Sequence, residues 1–429
     1  MADTSTLRSM PGTSLGPSSR RMQAMLRYGV GICAPATVAV AQFVVQLVLL
    51  RHLNPGDFGV FALLMVMIQF GYGLSNALIS TPFTVALHDR ETPDAALRAF
   101  FGVNAAYAAG FGVVCALIGV VFSVGPWILV FGAYAALAML RWFGRAHCYA
   151  VFRQMNAAAS DVSYAVLLLG FVGSAWLLGR IDMLTVSLAL LAATLGSLPV
   201  IRTGFLGQQF GRAAFSSLAP YGRIWQTQAR WSLLGVVTTE ATTNAHAYLV
   251  SGFAGAAAFA PLAAAALFTR PVALAITSLT QLERPALSKA IAAQDVGRAR
   301  ATCRSFFIVL LLIWLAVTIA ACVILVAKPD LLAGKHYAPA ELQLAFAFLA
   351  LIALAQVFQT PASVFLQAAG EFRSLAMASA LSSIASILLA AAALVAAGPV
   401  YSLLGIVAGK VMMAVQVLRR SRKWEADRG

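Results

Sequence analysis

The chain has 429 residues, 61% of them hydrophobic and 10% charged, with a formal charge of +15. Soluble domains carry roughly a quarter charged residues, so this composition excludes a water-covered globule. Mean hydropathy is +0.84, and apolar runs of about 20 residues, each long enough to cross the hydrocarbon, recur along most of the chain. Outer-membrane barrels alternate in pieces of about ten residues, and that pattern is absent. The expected class is an all-α polytopic membrane protein.

Residues 1–26 are rich in Ser, Thr, Pro and Gly and precede any apolar run. They lack the apolar core and small-residue cleavage site of a signal peptide. They read as a disordered cytosolic tail, with Arg20, Arg21 and Arg27 anchoring the first span. Spans follow at 28–50, 58–87, 99–123, 126–150, 160–179 and 183–202, then at 229–252, 256–281, 305–327, 340–368, 373–397 and 400–418. About 12 transmembrane helices are therefore expected. Asn54-Pro55-Gly56-Asp57, Gly125-Pro126 and Gly398-Pro399 punctuate the outer turns.

The longest inner connection, 203–228, separates an N-lobe (27–202) from a C-lobe (229–418), and a basic cytosolic tail closes the chain at 419–429. Both halves enter from the cytosol, which fits a parallel duplication about an axis along the membrane normal. Gly59-Val60-Phe61-Ala62 and Ala257-Ala258-Phe259-Ala260 sit at matching outer hairpins. In the inner loop Pro285–Arg304, Leu287, Ile291 and Val296 face one way while Arg298, Arg300 and Arg304 stay wet. Either an amphipathic helix at the inner interface or an ordinary positive-inside loop that happens to be helical satisfies that pattern.

With the N-terminus in the cytosol, the outer segments hold only Arg51, Arg180, Lys328 and Lys335 among the 30 basic residues. Arg270 and Lys410 fall inside spans, and the rest are cytosolic. This asymmetry places both termini in the cytosol, as expected of a multi-pass protein of an inner (plasma) membrane. It accounts for the net charge through topology and contact with anionic lipid heads, without nucleic acid. The five cysteines show no metal-ligand spacing and read as small buried hydrophobes. No cofactor or metal is expected.

Three further stretches stand out together. The first is the outer hairpin Leu53-Asn54-Pro55-Gly56-Asp57-Phe58-Gly59-Val60-Phe61. The second is Arg284-Pro285-Ala286-Leu287-Ser288 with Gln294-Asp295-Val296-Gly297-Arg298 after the eighth span. The third runs from Gly334-Lys335-His336-Tyr337 through Leu366-Gln367-Ala368-Ala369-Gly370-Glu371-Phe372-Arg373. Together they resemble the polysaccharide transporter (Wzx-like) branch of the MOP exporter superfamily, and the resemblance spans about residues 28–418. It implies two six-helix lobes around a central cavity that opens alternately to either side. The implied cargo is a lipid-linked oligosaccharide diphosphate flipped to the outer leaflet for exopolysaccharide, capsule or O-antigen synthesis. Polysaccharide polymerase and export proteins are implied partners.

Such a cargo needs a wet route with cationic groups for phosphate, because unpaired charge is costly to bury. Arginine suits phosphate through its planar fork of donors. Intramembrane charge marks candidates. Arg270, next to Pro271, and Glu240 lie at similar depth on neighbouring spans. They form a cavity pair that rearranges with substrate or with a coupling H⁺ or Na⁺, or a static ion pair, or they face different directions. Around Glu240, Thr238, Thr239, Thr242, Thr243, Asn244 and His246 make the span polar, as a cavity wall or as hydroxyls bonded back to their own helix. Arg141 and Arg145, four apart at the inner end of the fourth span, form a diphosphate vestibule or snorkel to the interface. Gln42, Gln46, Gln69, Asn76 and Thr81-Pro82 line the N-lobe cavity or act as helix-packing glue.

An enzyme is the rival of another class: HExxH and GxxxxGK[ST] are missing, and the single GxSxG, Gly12-Thr13-Ser14-Leu15-Gly16, falls in the N-terminal tail before any apolar run rather than at a strand-to-helix turn. Alternatives of the same fold are an H⁺- or Na⁺-coupled drug or metabolite antiporter and a peptidoglycan-precursor flippase.

Overall fold

The computed structural model describes residues 17–88, 92–201, 203–211, 218–327 and 337–427. Every regular element among them is helical. In chain order these are α1 (Pro17–His52), α2 (Pro55–Ser75), α3 (Thr81–His88), α4 (Asp94–Val121), α5 (Trp127–Ala150), α6 (Gln154–Leu177) and α7 (Met183–Ser197). Then come α8 (Thr203–Phe210), α9 (Tyr221–Ile224), α10 (Arg230–Phe253), α11 (Ala256–Ala292), α12 (Val296–Ala327), α13 (Pro339–Ala368), α14 (Phe372–Ala397) and α15 (Ser402–Ala426). Among the described residues, 11 helices are long and apolar enough to cross a membrane. Helix α10 has 24 residues, about 36 Å at 1.5 Å per residue, but its threonine-rich middle lowers its hydropathy. The chain is a multi-pass membrane protein.

The expected tail lies largely outside the described residues, and from Pro17 the chain is already α1. The stretch Pro285–Arg304 is not a separate interfacial helix. Helix α11 runs unbroken to Ala292, the chain turns at 293–295 with Gln294 at φ 55°, and α12 begins at Val296. The Asp295 carboxylate accepts the Arg298 amide at 2.8 Å, an N-terminal cap. Its apolar positions continue the stripes of two long helices: Leu287, Ala290 and Ala299 are buried in one cluster with Phe365 and Trp424. Helix α11 also runs unbroken through Pro271.

The packing divides the chain into two compact units, residues 1–45 with 67–236 and residues 46–66 with 237–429. The division falls inside α1, α2 and α10, and the hairpin joining α1 to α2 belongs with the second unit. Gly59 is one reason: a Cβ there would lie 1.9 Å from the Ala256 carbonyl oxygen. The two outer-hairpin sequences that looked alike thus pack against one another, and only glycine allows that approach.

In the first unit α4, α6 and α7 all pack on α5. The core there is aromatic, with Phe83, Phe100, Phe101, Phe143 and Phe205 buried together. The second span breaks at Asn76–Ser80, a π-turn between α2 and α3. Pro82 explains the break, because a proline has no N–H to offer the carbonyl four residues back. That carbonyl, of Leu78, instead accepts the Tyr221 hydroxyl at 2.6 Å. In the second unit α11, α12, α13 and α15 share a core around Phe306, Phe365 and Val417, and α14 packs on α15.

Candidate functional site

In the first unit, α5 carries Arg141 and Arg145 on one face, as a spacing of four requires. The turn at Val151–Arg153 folds α6 back antiparallel, bringing Ser160 and Asp161 against them. Arg141 Nη2 donates to Asp161 Oδ1 at 2.7 Å and to the Ser160 carbonyl at 3.0 Å, and its Nε reaches Ser160 Oγ at 3.2 Å. Arg145 Nε lies 2.8 Å from the same Asp161 oxygen, off the line of a hydrogen bond. Ser160 Oγ donates on to the Ser197 carbonyl of α7 at 3.0 Å. Asp161 is fully buried, and its Oδ2 has no hydrogen-bond partner. Two buried guanidiniums therefore share one oxygen of one carboxylate, and the cluster keeps an excess positive charge.

Aromatic rings enclose the cluster. The Arg141 guanidinium lies 4.7 Å over the Tyr164 ring and that of Arg145 4.9 Å over Trp142, contacts that favour a desolvated cation. Trp142 stacks on Tyr72 at 4.2 Å and donates its indole N–H to Asn76 Oδ1 at 2.9 Å. The buried hydroxyls of Tyr134 and Tyr164 face each other beside Arg141, with no hydrogen bond of good geometry. Gln42 of α1 reaches the Tyr164 hydroxyl.

In the second unit, Glu240, Asn244 and Tyr248 follow at spacings of four on α10 and share a face. The Tyr248 hydroxyl donates to Glu240 Oε1, and Asn244 stands beside the same carboxylate. Lys410 of α15 is 6% exposed and donates to Thr243 Oγ1 at 2.8 Å. It also sits within electrostatic range of Glu240. Thr242 and Ser383 of α14 share a hydrogen bond at 2.9 Å, and Ser383 donates to the Thr238 carbonyl at 2.7 Å.

The expected Glu240–Arg270 pair does not form. Glu240 turns toward Tyr248, Asn244 and Lys410, while half-buried Arg270 has no hydrogen bond or ion pair to a described residue. Equal depth on adjacent helices does not make two side chains meet, since helix rotation decides facing. His246 leaves the polar face as well: it is buried with its ring 6.1 Å from Phe259. Gln46 is buried with an unpartnered amide, and Asn76 serves Trp142. Arg141 and Arg145 do not snorkel, their side chains being 7% and 10% exposed. Asp161, Lys410 and the ring of tyrosines escaped the sequence reading. Asp161 sat at an estimated span boundary, where carboxylates are ordinary. Lys410 was visible as a charge inside a span, the same signal that marked Arg270. Among the described residues no three or more His, Cys, Asp or Glu converge as a metal set.

No family model and no curated protein sequence matches the chain. Solved structures do match its fold. An inward-facing multidrug resistance MATE family transporter of the MOP superfamily aligns with TM-score 0.63 at 13% identity, covering 98% of this chain and 97% of that one. The lipid II flippase MurJ, inward closed, aligns with TM-score 0.67 at 9% identity over 91% of this chain and 87% of its own. A MOP superfamily transporter from Pyrococcus furiosus, whose reversed pocket polarity was taken to suggest a different function, aligns at 0.55 and 15% identity over 94% of each chain. The chain thus shares its fold with these MATE and MOP structures and with MurJ.

Proposed function

We propose that the protein is a flippase moving a polyprenyl-diphosphate-linked oligosaccharide from the inner to the outer leaflet of a bacterial inner membrane, a transporter rather than an enzyme. One observation carries this reading. Arg270 lies midway along a span with no acidic partner among the described residues. An unpaired guanidinium at that depth is costly, and an anion that arrives and leaves is what such a group serves. The buried Arg141–Asp161–Arg145 cluster supports the same sign of cargo, since one carboxylate balances two cations. In transit a diphosphate would engage these guanidiniums through bidentate bonds while the acyl tail stays in lipid. MurJ, named a lipid II flippase, supports a lipid cargo on this fold.

Depleting the protein in its host and analysing extracted polyprenyl lipids by mass spectrometry tests the reading. A complete oligosaccharide-diphosphate lipid should accumulate, inaccessible to an outer-leaflet probe. Arg270→Ala should abolish transport at normal membrane levels. An unchanged lipid profile would refute the flippase and leave the antiporter, for which Glu240 and the MATE neighbours speak, to be tested by drug and ion efflux. A peptidoglycan-precursor cargo would show in the same spectra as a different accumulated head group.

A further inference from the structure

The geometry points to Lys410 as a tethered cation: its ammonium fills a monovalent-cation site built from Glu240, Thr243 and Asn244, so the second unit needs no soluble cation until Lys410 is removed. A carboxylate inside the hydrocarbon region requires a counter-charge. Among the described residues Glu240 has no arginine or lysine within 4 Å, yet Lys410 lies close enough to feel its charge. The ammonium is held by Thr243 Oγ1 at 2.8 Å, one helical turn along α10 from Glu240.

Packing fixes where that ammonium goes. A Cβ at Gly409 would lie 2.5 Å from Ser386 Oγ and 3.0 Å from the Ser382 carbonyl oxygen, so α15 rests backbone-close on α14 at this level. Lys410, next in sequence, is thereby turned to α10. The groups facing the socket are a carboxylate, a threonine hydroxyl, an asparagine amide and the Tyr248 phenol. Oxygen donors with one negative charge suit a small hard cation. A flexible four-carbon stem ending in a point charge can take that place permanently. Arg270 and His246 lie outside the socket.

The test uses the purified full-length protein in detergent, following thermal unfolding in matched concentrations of NaCl, LiCl, KCl and choline chloride. Wild type should unfold at the same temperature in all four salts. Lys410→Ala should unfold roughly 3 °C or more higher in Na⁺ or Li⁺ than in choline, because the cation now binds only the folded state. Glu240→Gln added to Lys410→Ala should erase that difference by removing the socket's charge. A folded Lys410→Ala indifferent to all four cations overturns the inference. So does a wild type that is itself stabilised by Na⁺ over choline, an outcome readable even if Lys410→Ala cannot be purified. No substrate enters the assay, so its result is independent of the cargo proposed above.

Discussion

Asp161→Asn keeps the size of the side chain and removes the charge on which both buried arginines converge. At 2.7 and 2.8 Å, each contact is worth about 6 kcal/mol of Coulomb attraction at an effective dielectric near 20, before desolvation is counted. Breaking a buried pair by removing one partner typically costs about 3–5 kcal/mol net. Arg141 keeps its two bonds to Ser160 and its place over Tyr164, and Arg145 keeps Trp142. The expected loss is therefore near the lower end, about 3 kcal/mol. The assay is thermal unfolding of purified protein, completed as a double-mutant cycle with Arg145→Gln. Asp161→Asn alone should unfold several degrees lower than wild type. Adding Arg145→Gln should recover part of the loss, with a coupling of about 1–3 kcal/mol, because the uncompensated charge leaves with it. A folded Asp161→Asn with an unchanged midpoint, or strictly additive single effects, would refute the view that this carboxylate holds the pair in place.

Gly59→Val forces a branched side chain into the Ala256 backbone, where even a Cβ would sit at 1.9 Å, and should cut folded protein in the membrane by fluorescence-detected chromatography. Gly173→Ala, where the added Cβ meets nothing within 4 Å, should leave it unchanged. Tyr221→Phe strands the Leu78 carbonyl that Pro82 cannot serve and should cost about 1–2 kcal/mol in the same unfolding assay. Burial raises the Tyr221 phenol to about 12. Its contribution is thus complete below pH 10, the usual value, and lost as pH rises through 12. The ion pair of Arg420 with Glu371 at 3.0 Å is largely exposed, so Glu371→Gln should shift stability by less than about 1 kcal/mol, and a larger fall would show a structural role. In a cysteine-free background, Gly125→Cys should react with an impermeant maleimide in intact cells and Ala426→Cys only after permeabilisation. The reverse pattern would invert the proposed topology.

Much of the architecture was legible in the residues because the bilayer imposes a length. The helix ends at Trp127 and Ala150, Met183, Phe253 and Ala256, Pro339 and Ala397 fall within a few residues of the expected bounds. Proline and glycine punctuation supplied the turns. Of the two readings of Pro285–Arg304, the helical loop rather than the interfacial helix is what forms, for a physical reason. Helices α11 and α12 bury their stripes against each other and against α13 and α15, a partner that amphipathic spacing alone does not name.

Composition and spacing alone determined that this chain crosses a membrane many times and that Arg141, Arg145, Glu240 and Arg270 are unusual, because charge in hydrocarbon is expensive wherever it stands. They could not determine pairing. Asp161 rather than a distant acid holds two arginines, and Lys410, 167 residues from Thr243, stands near the acid expected to face Arg270. A side chain a few ångströms long reaches only what its helix's rotation and close approach present to it. Rotation and approach are settled by packing, here by contacts such as Gly409 on Ser386, which join residues far apart in the chain.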